Sequence, residues 1–246
     1  MEAQLLDLKD KKILVTGSSS GIGREVAIQV SRLGGTVIIT GRNYDRLNET
    51  FVGLSGKGHM QIVADLTKDK EIQSFTEQLP VLDGVVNCVG ITSHFPSRFI
   101  KERHIDEVMA TNFNVPTILI SNLLQKKKIN NNSSLIFLSS ISSKFPYVGG
   151  ALYGASKSAI EGYSKALALE LAPKGIRSNC VMPGMVDTSM FSETKKVASE
   201  ETLTKIEALH PLGIGKPIDV AGPICFLLSD KARWITGINL PLGVIL

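Results

Sequence analysis

A tyrosine, a lysine and a serine carry the first chemical signal in this chain. Tyr153-Gly154-Ala155-Ser156-Lys157 sets a phenol and an ammonium four positions apart, so on a helix both side chains share one face, one turn apart. A phenol with a pKa near ~10 is by itself a poor acid–base group at neutral pH. An adjacent ammonium favours the phenolate and is expected to draw that pKa toward the working range. Thirteen residues before the tyrosine, Ser140 stands at the exit of an apolar run, Leu138-Ser139-Ser140-Ile141-Ser142. Most tyrosine–lysine pairs at this spacing merely coat a helix. Here the strand-end serines accompany them, and a glycine-rich loop lies far upstream.

That loop is Thr16-Gly17-Ser18-Ser19-Ser20-Gly21-Ile22-Gly23, which follows an apolar run and opens a helical pattern. Gly17 permits a sharp turn, Gly21 lets a pyrophosphate approach the backbone, and Gly23 lets the helix pack close to the sheet. The exposed amides and the positive helix end then face the phosphates. Three glycines alone would be weak; their place between the first strand and the first helix specifies a nucleotide site. The second strand ends at Thr40-Gly41-Arg42-Asn43, with no acidic residue at the point where one would bind a ribose 2′-hydroxyl. Arg42 stands there instead, and its planar, permanently charged fork suits a 2′-phosphate, so NADP (as NADPH) is the expected cofactor.

Short β-branched runs alternate with amphipathic segments along the 246 residues. Strands are expected over Lys12–Thr16, Thr36–Thr40, His59–Val63, Gly84–Asn87, Ser134–Ser139, Ile176–Met182 and Gly237–Leu240. Most are apolar nearly throughout, which suits strands covered on both faces. Helices are expected over Ile22–Leu33, Tyr44–Val52, Asp69–Gln78, Glu102–Lys126, Ala155–Leu171 and Ile218–Leu228. The alternation specifies an α/β fold, a doubly wound, seven-stranded parallel sheet with helices on both faces. No repeat or linker divides the chain, so residues 1–246 are expected to form one Rossmann domain. Two stretches break the rhythm: Thr92–Lys101 and Pro183–Leu212. Both leave the carboxyl ends of strands, where ligands bind in such sheets. The second has the length of a lid or binding loop, and Lys195, Lys196, Glu200 and Glu201 predict that part of it is a solvent-facing helix.

Composition excludes several function classes. The chain is 43% apolar and 20% charged, with a net charge of +4 spread along it. Lys126–Lys128 is the densest basic run, and nothing has the charge density of a nucleic-acid binder. Cys88, Cys180 and Cys225 lie far apart, which fits neither a disulfide framework nor a metal knuckle. Residues 1–12 are charged without a long apolar core, and no run reaches the ~18 apolar residues of a membrane span. A cytoplasmic protein, without metal or membrane, is expected.

These pieces, taken in order, resemble the short-chain dehydrogenase/reductase family over essentially the whole chain. The matching segments are Thr16–Gly23, Asp65-Leu66-Thr67, Asn87-Cys88-Val89-Gly90, Asn112, Ser140, Tyr153-x3-Lys157 and Pro183-Gly184; Pro217-x-Asp219-Val220-Ala221 and Ile235-Thr236-Gly237 follow. The resemblance implies a carbonyl reductase. Tyr153 would be the acid, Ser140 would orient the carbonyl, and Lys157 would grip the nicotinamide ribose while lowering the tyrosine pKa. Asn112 would hold a water as a proton relay. The cofactor would meet Gly17, Ser19, Ser20, Gly21, Ile22, Gly23, Arg42, Leu66 and Gly90, with Asp65 on the adenine amino group and Asn87 steadying the sheet. Pro183, Gly184, Val186 and Thr188 would hold the nicotinamide end beside Tyr153 and Lys157. The chain departs from the family pattern at Cys88-Val89 and at Leu240-Pro241-Leu242-Gly243.

The pattern, including Gly90-Ile91-Thr92 and Pro211-Leu212-Gly213, is similar to 3-oxoacyl-[acyl-carrier-protein] reductases, which implies an acyl-thioester substrate. Those enzymes usually carry a basic residue where Leu169 stands; Lys126–Lys128 could supply part of a carrier patch. A sugar, polyol or steroid substrate stays open, as does an idle NADP-binding regulator, although a regulator needs no Ser, Tyr, Lys and Asn together. His94 and Phe95 either line the pocket or face solvent. In the family that the chain resembles, long helices such as Glu102–Lys126 and Ala155–Leu171, here with apolar Val108, Leu119, Leu123, Leu167 and Leu171, pair between subunits, so the resemblance implies a homotetramer, with a dimer second.

Overall fold

Apolar, β-branched runs form the centre of the fold, which the computed structural model describes for residues 6–192, 204 and 208–245. Seven strands build one parallel sheet in the order β3-β2-β1-β4-β5-β6-β7. They are β1 (Lys12–Thr16), β2 (Thr36–Gly41), β3 (Met60–Val63), β4 (Leu82–Asn87), β5 (Ile129–Leu138), β6 (Arg177–Pro183) and β7 (Asn239–Leu242). Successive residues of β1 feed opposite faces. Leu14 joins an apolar cluster under α3 (Asp69–Gln78), α5 (Val115–Gln125) and α6 (Ala151–Leu171), while Ile13 and Val15 join one under α1 (Gly21–Arg32), α2 (Tyr44–Val52) and α7 (Pro217–Leu228). The expected doubly wound Rossmann architecture is what the chain adopts.

Its boundaries differ from expectation in informative places. The single helix expected over Glu102–Lys126 is α4 (Glu102–Met109) and α5, joined by a wide π turn at Ala110–Asn114. Periodicity does not reveal a turn that keeps both flanks facing the same core. β5 begins at Ile129 rather than Ser134, carried through a polar Asn130–Asn132 run that reads as a loop. α6 begins at Ala151, before Tyr153, and within its first turn Gly154 lets the Ser142 carbonyl pack close, where an added Cβ would lie 2.8 Å from it. β7 starts two residues late, since Gly237 turns with φ +72°.

Val108, Leu119, Leu123, Leu167 and Leu171 are all buried within the chain's own core. They do not form outward assembly faces; the exposed apolar side chains of those helices are Ile105, Ile118 and Leu169. The acidic and basic residues expected to make the loop after β6 partly helical (Lys195, Lys196, Glu200, Glu201) lie outside the described residues. Among the described residues, no helix is long and apolar enough to cross a membrane.

Candidate active site

A cleft of about 1160 Å³ runs along the carboxyl ends of the strands, across the point where the chain leaves β3 at one edge and resumes at β4 beside β1. It has a glycine end and a tyrosine end. At the first, Gly17 adopts φ +63°, and a Cβ there would stand 2.9 Å from the Val89 nitrogen. A Cβ on Gly23 would strike the Gly17 carbonyl. The turn and the helix start are thus locked to the exit of β4, where Thr16 Oγ1 accepts from the Cys88 and Val89 amides at 3.2 and 3.4 Å. Ser19, Ser20, Gly21 and Ile22 line the cleft beside them.

The β2 exit brings Arg42 to the rim, exposed, with Arg46 next to it. Arg46 sits there because Asn43 caps α2, accepting the Arg46 amide at 2.9 Å. Sequence reading missed Arg46, although its spacing of four from Arg42 was the available signal. Asp65 and Leu66 form the opposite wall. Burial pushes the Asp65 carboxyl up, but two Thr67 hydrogen bonds and the Arg42 and Lys68 charges together bring it below its ordinary value.

At the tyrosine end, α6 projects Tyr153 and Lys157 from one face, as the spacing predicts. Lys157 is buried, its Nζ donates to the Leu138 carbonyl at 2.8 Å, and it lies 5.6 Å from the centre of the Tyr153 ring. Ser140 faces the cleft beside Tyr153; its Oγ accepts the Ser142 amide and donates to Ser142 Oγ, both at 3.2 Å. The expected lowering of the phenol does not occur in this state. Burial pushes Tyr153 up to about 12, against the opposing pull of the Ser140 hydroxyl and with help from Tyr147. Burial likewise brings Lys157 down to about 8. Loss of solvent outweighs the pairing of the two groups, because the ammonium is turned to a carbonyl rather than to the phenol oxygen.

Gly90 lines the cleft; Asn87 and Asn112 stand behind it. The Asn112 amide is a latch: Oδ1 accepts from Ile91 N at 2.8 Å, and Nδ2 donates to Ile91 O at 2.9 Å and to Ser156 Oγ at 3.0 Å. The π turn aims it there. Asn87 donates to Ile136 O at 3.4 Å, and its buried Oδ1 has no partner among the described residues. Pro183, Gly184, Val186 and Thr188 line the third wall, with Thr188 packed over Gly21. That wall is held by His210, whose Nε2 accepts the Met185 amide at 2.7 Å, a role that no local motif announces. His94 faces the cleft, whereas Phe95 turns away and stacks on His104 at 4.0 Å. The Lys126–Lys128 run points elsewhere. Lys126 pairs with Glu77, and Lys128 donates to the Glu77 and Leu79 carbonyls, at the amino end of β5 and across the sheet from the cleft.

A family model described as enoyl-(acyl carrier protein) reductase matches residues 17–242. The human dehydrogenase/reductase SDR family member 2 is 34% identical over 242 residues, 95% of this chain and 85% of that protein. The chain belongs to the short-chain dehydrogenase/reductase family. It is an oxidoreductase of that family, and several relatives share a more specific description. The 3-oxoacyl-[acyl-carrier-protein] reductase of Rickettsia felis is 34% identical over 95% of both chains. That of Thermotoga maritima is 34% identical over 94% of this chain and 95% of its own. Among solved structures, a Serratia marcescens short-chain dehydrogenase/reductase variant superposes with a TM-score of 0.87 at 26% identity, covering 96% of this chain and 98% of its own. An angucycline C-6 ketoreductase with bound NADP shares the fold, with a TM-score of 0.88 at 24% identity over 96% of this chain and 95% of its own.

Proposed function

We propose that this short-chain dehydrogenase/reductase is an NADPH-dependent carbonyl reductase of 3-oxoacyl thioesters. The observation that carries the reading is the Ser140 and Tyr153 hydroxyls facing the same cleft, with Lys157 one turn further along α6. Two hydroxyls converging on one point suit a carbonyl oxygen, which accepts two hydrogen bonds. Tyr153 keeps its proton throughout the neutral range, the state an acid needs.

The cofactor's dinucleotide fits the cleft. The Gly17–Gly23 turn leaves room that a Cβ would fill, Arg42 and Arg46 flank the place for a 2′-phosphate, and Asn87 Oδ1 keeps a buried acceptor behind the tyrosine end. Gly17, Ser19–Gly23 and Leu66 would hold the phosphates and adenosine, with Asp65 at the adenine. Gly90, Lys157, Pro183, Gly184, Val186 and Thr188 would hold the nicotinamide half. Bound there, NADPH supplies a hydride to the carbonyl carbon. Ser140 orients the carbonyl oxygen, Tyr153 gives it a proton, and Lys157 steadies ribose and phenol. Asn112 keeps the β4 exit in place for a proton relay.

The substrate class rests on the mouth of the cleft, where Phe145, Val148, Met190, Leu209 and Ile245 are apolar and exposed. An acyl chain would cover them; a sugar or polyol would not. The named activity of the Rickettsia and Thermotoga relatives supports the same class. A homotetrameric assembly, with Ile118 and Leu169 facing another copy, completes the proposal.

The experiment is NADPH consumption with an acetoacetyl thioester and, separately, with the matching unsaturated enoyl thioester. Reduction of the 3-oxo compound alone is expected. Turnover of only the enoyl compound would overturn the assignment.

A further inference from the structure

We propose that Thr92, His94 and Tyr147 form a second polar contact point at the tyrosine end, which binds an oxygen acceptor lying beyond the reacting carbonyl. The inference rests on the reductase reading and deepens it. The loops that follow β4 and β5 are clasped together over the cleft, with the Phe95 amide donating to the Gly149 carbonyl at 3.0 Å. From the two sides of that clasp the three side chains enter the same cleft as Ser140 and Tyr153.

They are joined to one another. Thr92 Oγ1 and His94 Nε2 are 3.3 Å apart, the His94 and Tyr147 rings lie 5.8 Å apart at 46°, and the Thr92 hydroxyl favours the ionised form of the Tyr147 phenol. The Tyr147 ring is fixed from behind by Gly150, where an added Cβ would stand 2.5 Å from Cζ. Burial pulls His94 down, and burial pushes Tyr147 up against the opposing pull of the Thr92 hydroxyl. All three groups are therefore neutral near pH 7, which suits an uncharged carbonyl. With imidazole Nε2–H donating to Thr92 and the Thr92 hydroxyl donating to Tyr147, the phenolic proton is directed to the ligand.

Tyr147 adds to the burial that keeps the Tyr153 phenol protonated, and both side chains line the same cleft. The second contact point thus shares one cavity with the first, under the clasp of the two loops. Elsewhere the mouth offers apolar side chains such as Phe145, Val148 and Ile245. A substrate whose second oxygen found no partner there would lose a hydrogen bond on leaving water, and this arrangement of hydroxyls prevents that loss.

The test compares two substrates under NADPH: S-acetoacetyl-N-acetylcysteamine, which has the second oxygen, and a methyl ketone of matched length, which lacks it. Wild type should prefer the thioester. Tyr147→Phe should lower kcat/KM for the thioester about tenfold, chiefly through KM, and leave the ketone within about twofold. Thr92→Val should move both values in the same directions by less, which keeps the test sound if the first variant folds poorly. Equal losses on both substrates, or no loss on either, would overturn the contact point while leaving the reductase reading standing. A wild type inert toward both substrates would overturn the reductase reading itself.

Discussion

At the glycine end of the cleft a ligand meets main chain, whereas at the tyrosine end it meets side chains that have lost most of their water. The Gly17–Gly23 turn is specified by conformation and by the absence of atoms, since left-handed φ and missing Cβ groups let two backbones touch. Nothing there titrates near neutrality. Around Tyr153 and Lys157 burial moves both ionisable groups, one up to about 12 and the other down to about 8. On the proposed reading, recognition and chemistry draw on different physical resources along one cleft, so it should be possible to damage either one alone.

The largest separation is expected from Tyr153→Phe. Removing the acid should lower turnover by about 10²–10⁴-fold, while NADPH affinity, read by fluorescence titration, stays close to wild type. Near-normal turnover would place the acid elsewhere. Arg42→Ala should do the reverse, weakening NADPH binding roughly ten- to a hundredfold while NADH binding hardly changes. Arg46 is a second cation at the same rim, so the loss should fall near the lower bound, and the double variant should exceed it. Equal NADPH affinity in both variants and wild type would remove the 2′-phosphate assignment.

A smaller effect should appear with pH. Lys157 is charged below about 8 and neutral above it, whereas Tyr153 stays protonated to about 12. Reductive kcat/KM, which reports the free enzyme, should therefore fall by about tenfold between roughly pH 7 and pH 9. The falling limb belongs to the ammonium, not the phenol. Lys157→Arg, which keeps its charge, should flatten that limb; a limb unchanged in this variant would assign it to another group.

The same contrast explains what was legible in the sequence. The glycine turn, Arg42 and the Tyr153–Lys157 spacing are local, and the backbone geometry that each demands is written in consecutive residues. The parallel sheet covered on both faces followed from runs that are apolar nearly throughout, whereas the order of its strands is not written in them. His210 and Tyr147 were not legible, because each acts through a partner brought near only by the fold, whereas Arg46 was overlooked although its spacing from Arg42 is local. Glu161 is a further example. It sits one turn beyond Lys157 and reads as a surface helix position. Yet it is buried, accepts Ser139 Oγ at 2.6 Å and Asn239 Nδ2 at 3.0 Å, and pairs with Lys144 at 3.0 Å. It thereby ties the loop bearing Ser140 to β7. The tyrosine pKa was misjudged for a related reason: spacing shows which charges are neighbours but not how much water folding removes from them.

The π turn between α4 and α5 also acts as a phase corrector. Buried positions His104, Val108, Asn112, Pro116 and Ile120 recur every four residues across it. In a regular helix each step of four overshoots a full turn by about 40°, so four such steps would rotate the last position some ~160° from the first. The wide turn gives back roughly one residue's worth of rotation, and Leu119, Ile120 and Leu123 return to the core. Taking one residue out of 110–114 would let the two helices fuse in register with their inner faces still aligned, while Asn112 would lose its aim at Ile91. Here the packing of the fold and the shape of the cleft can be uncoupled by the length of the chain alone, with no change of side-chain chemistry.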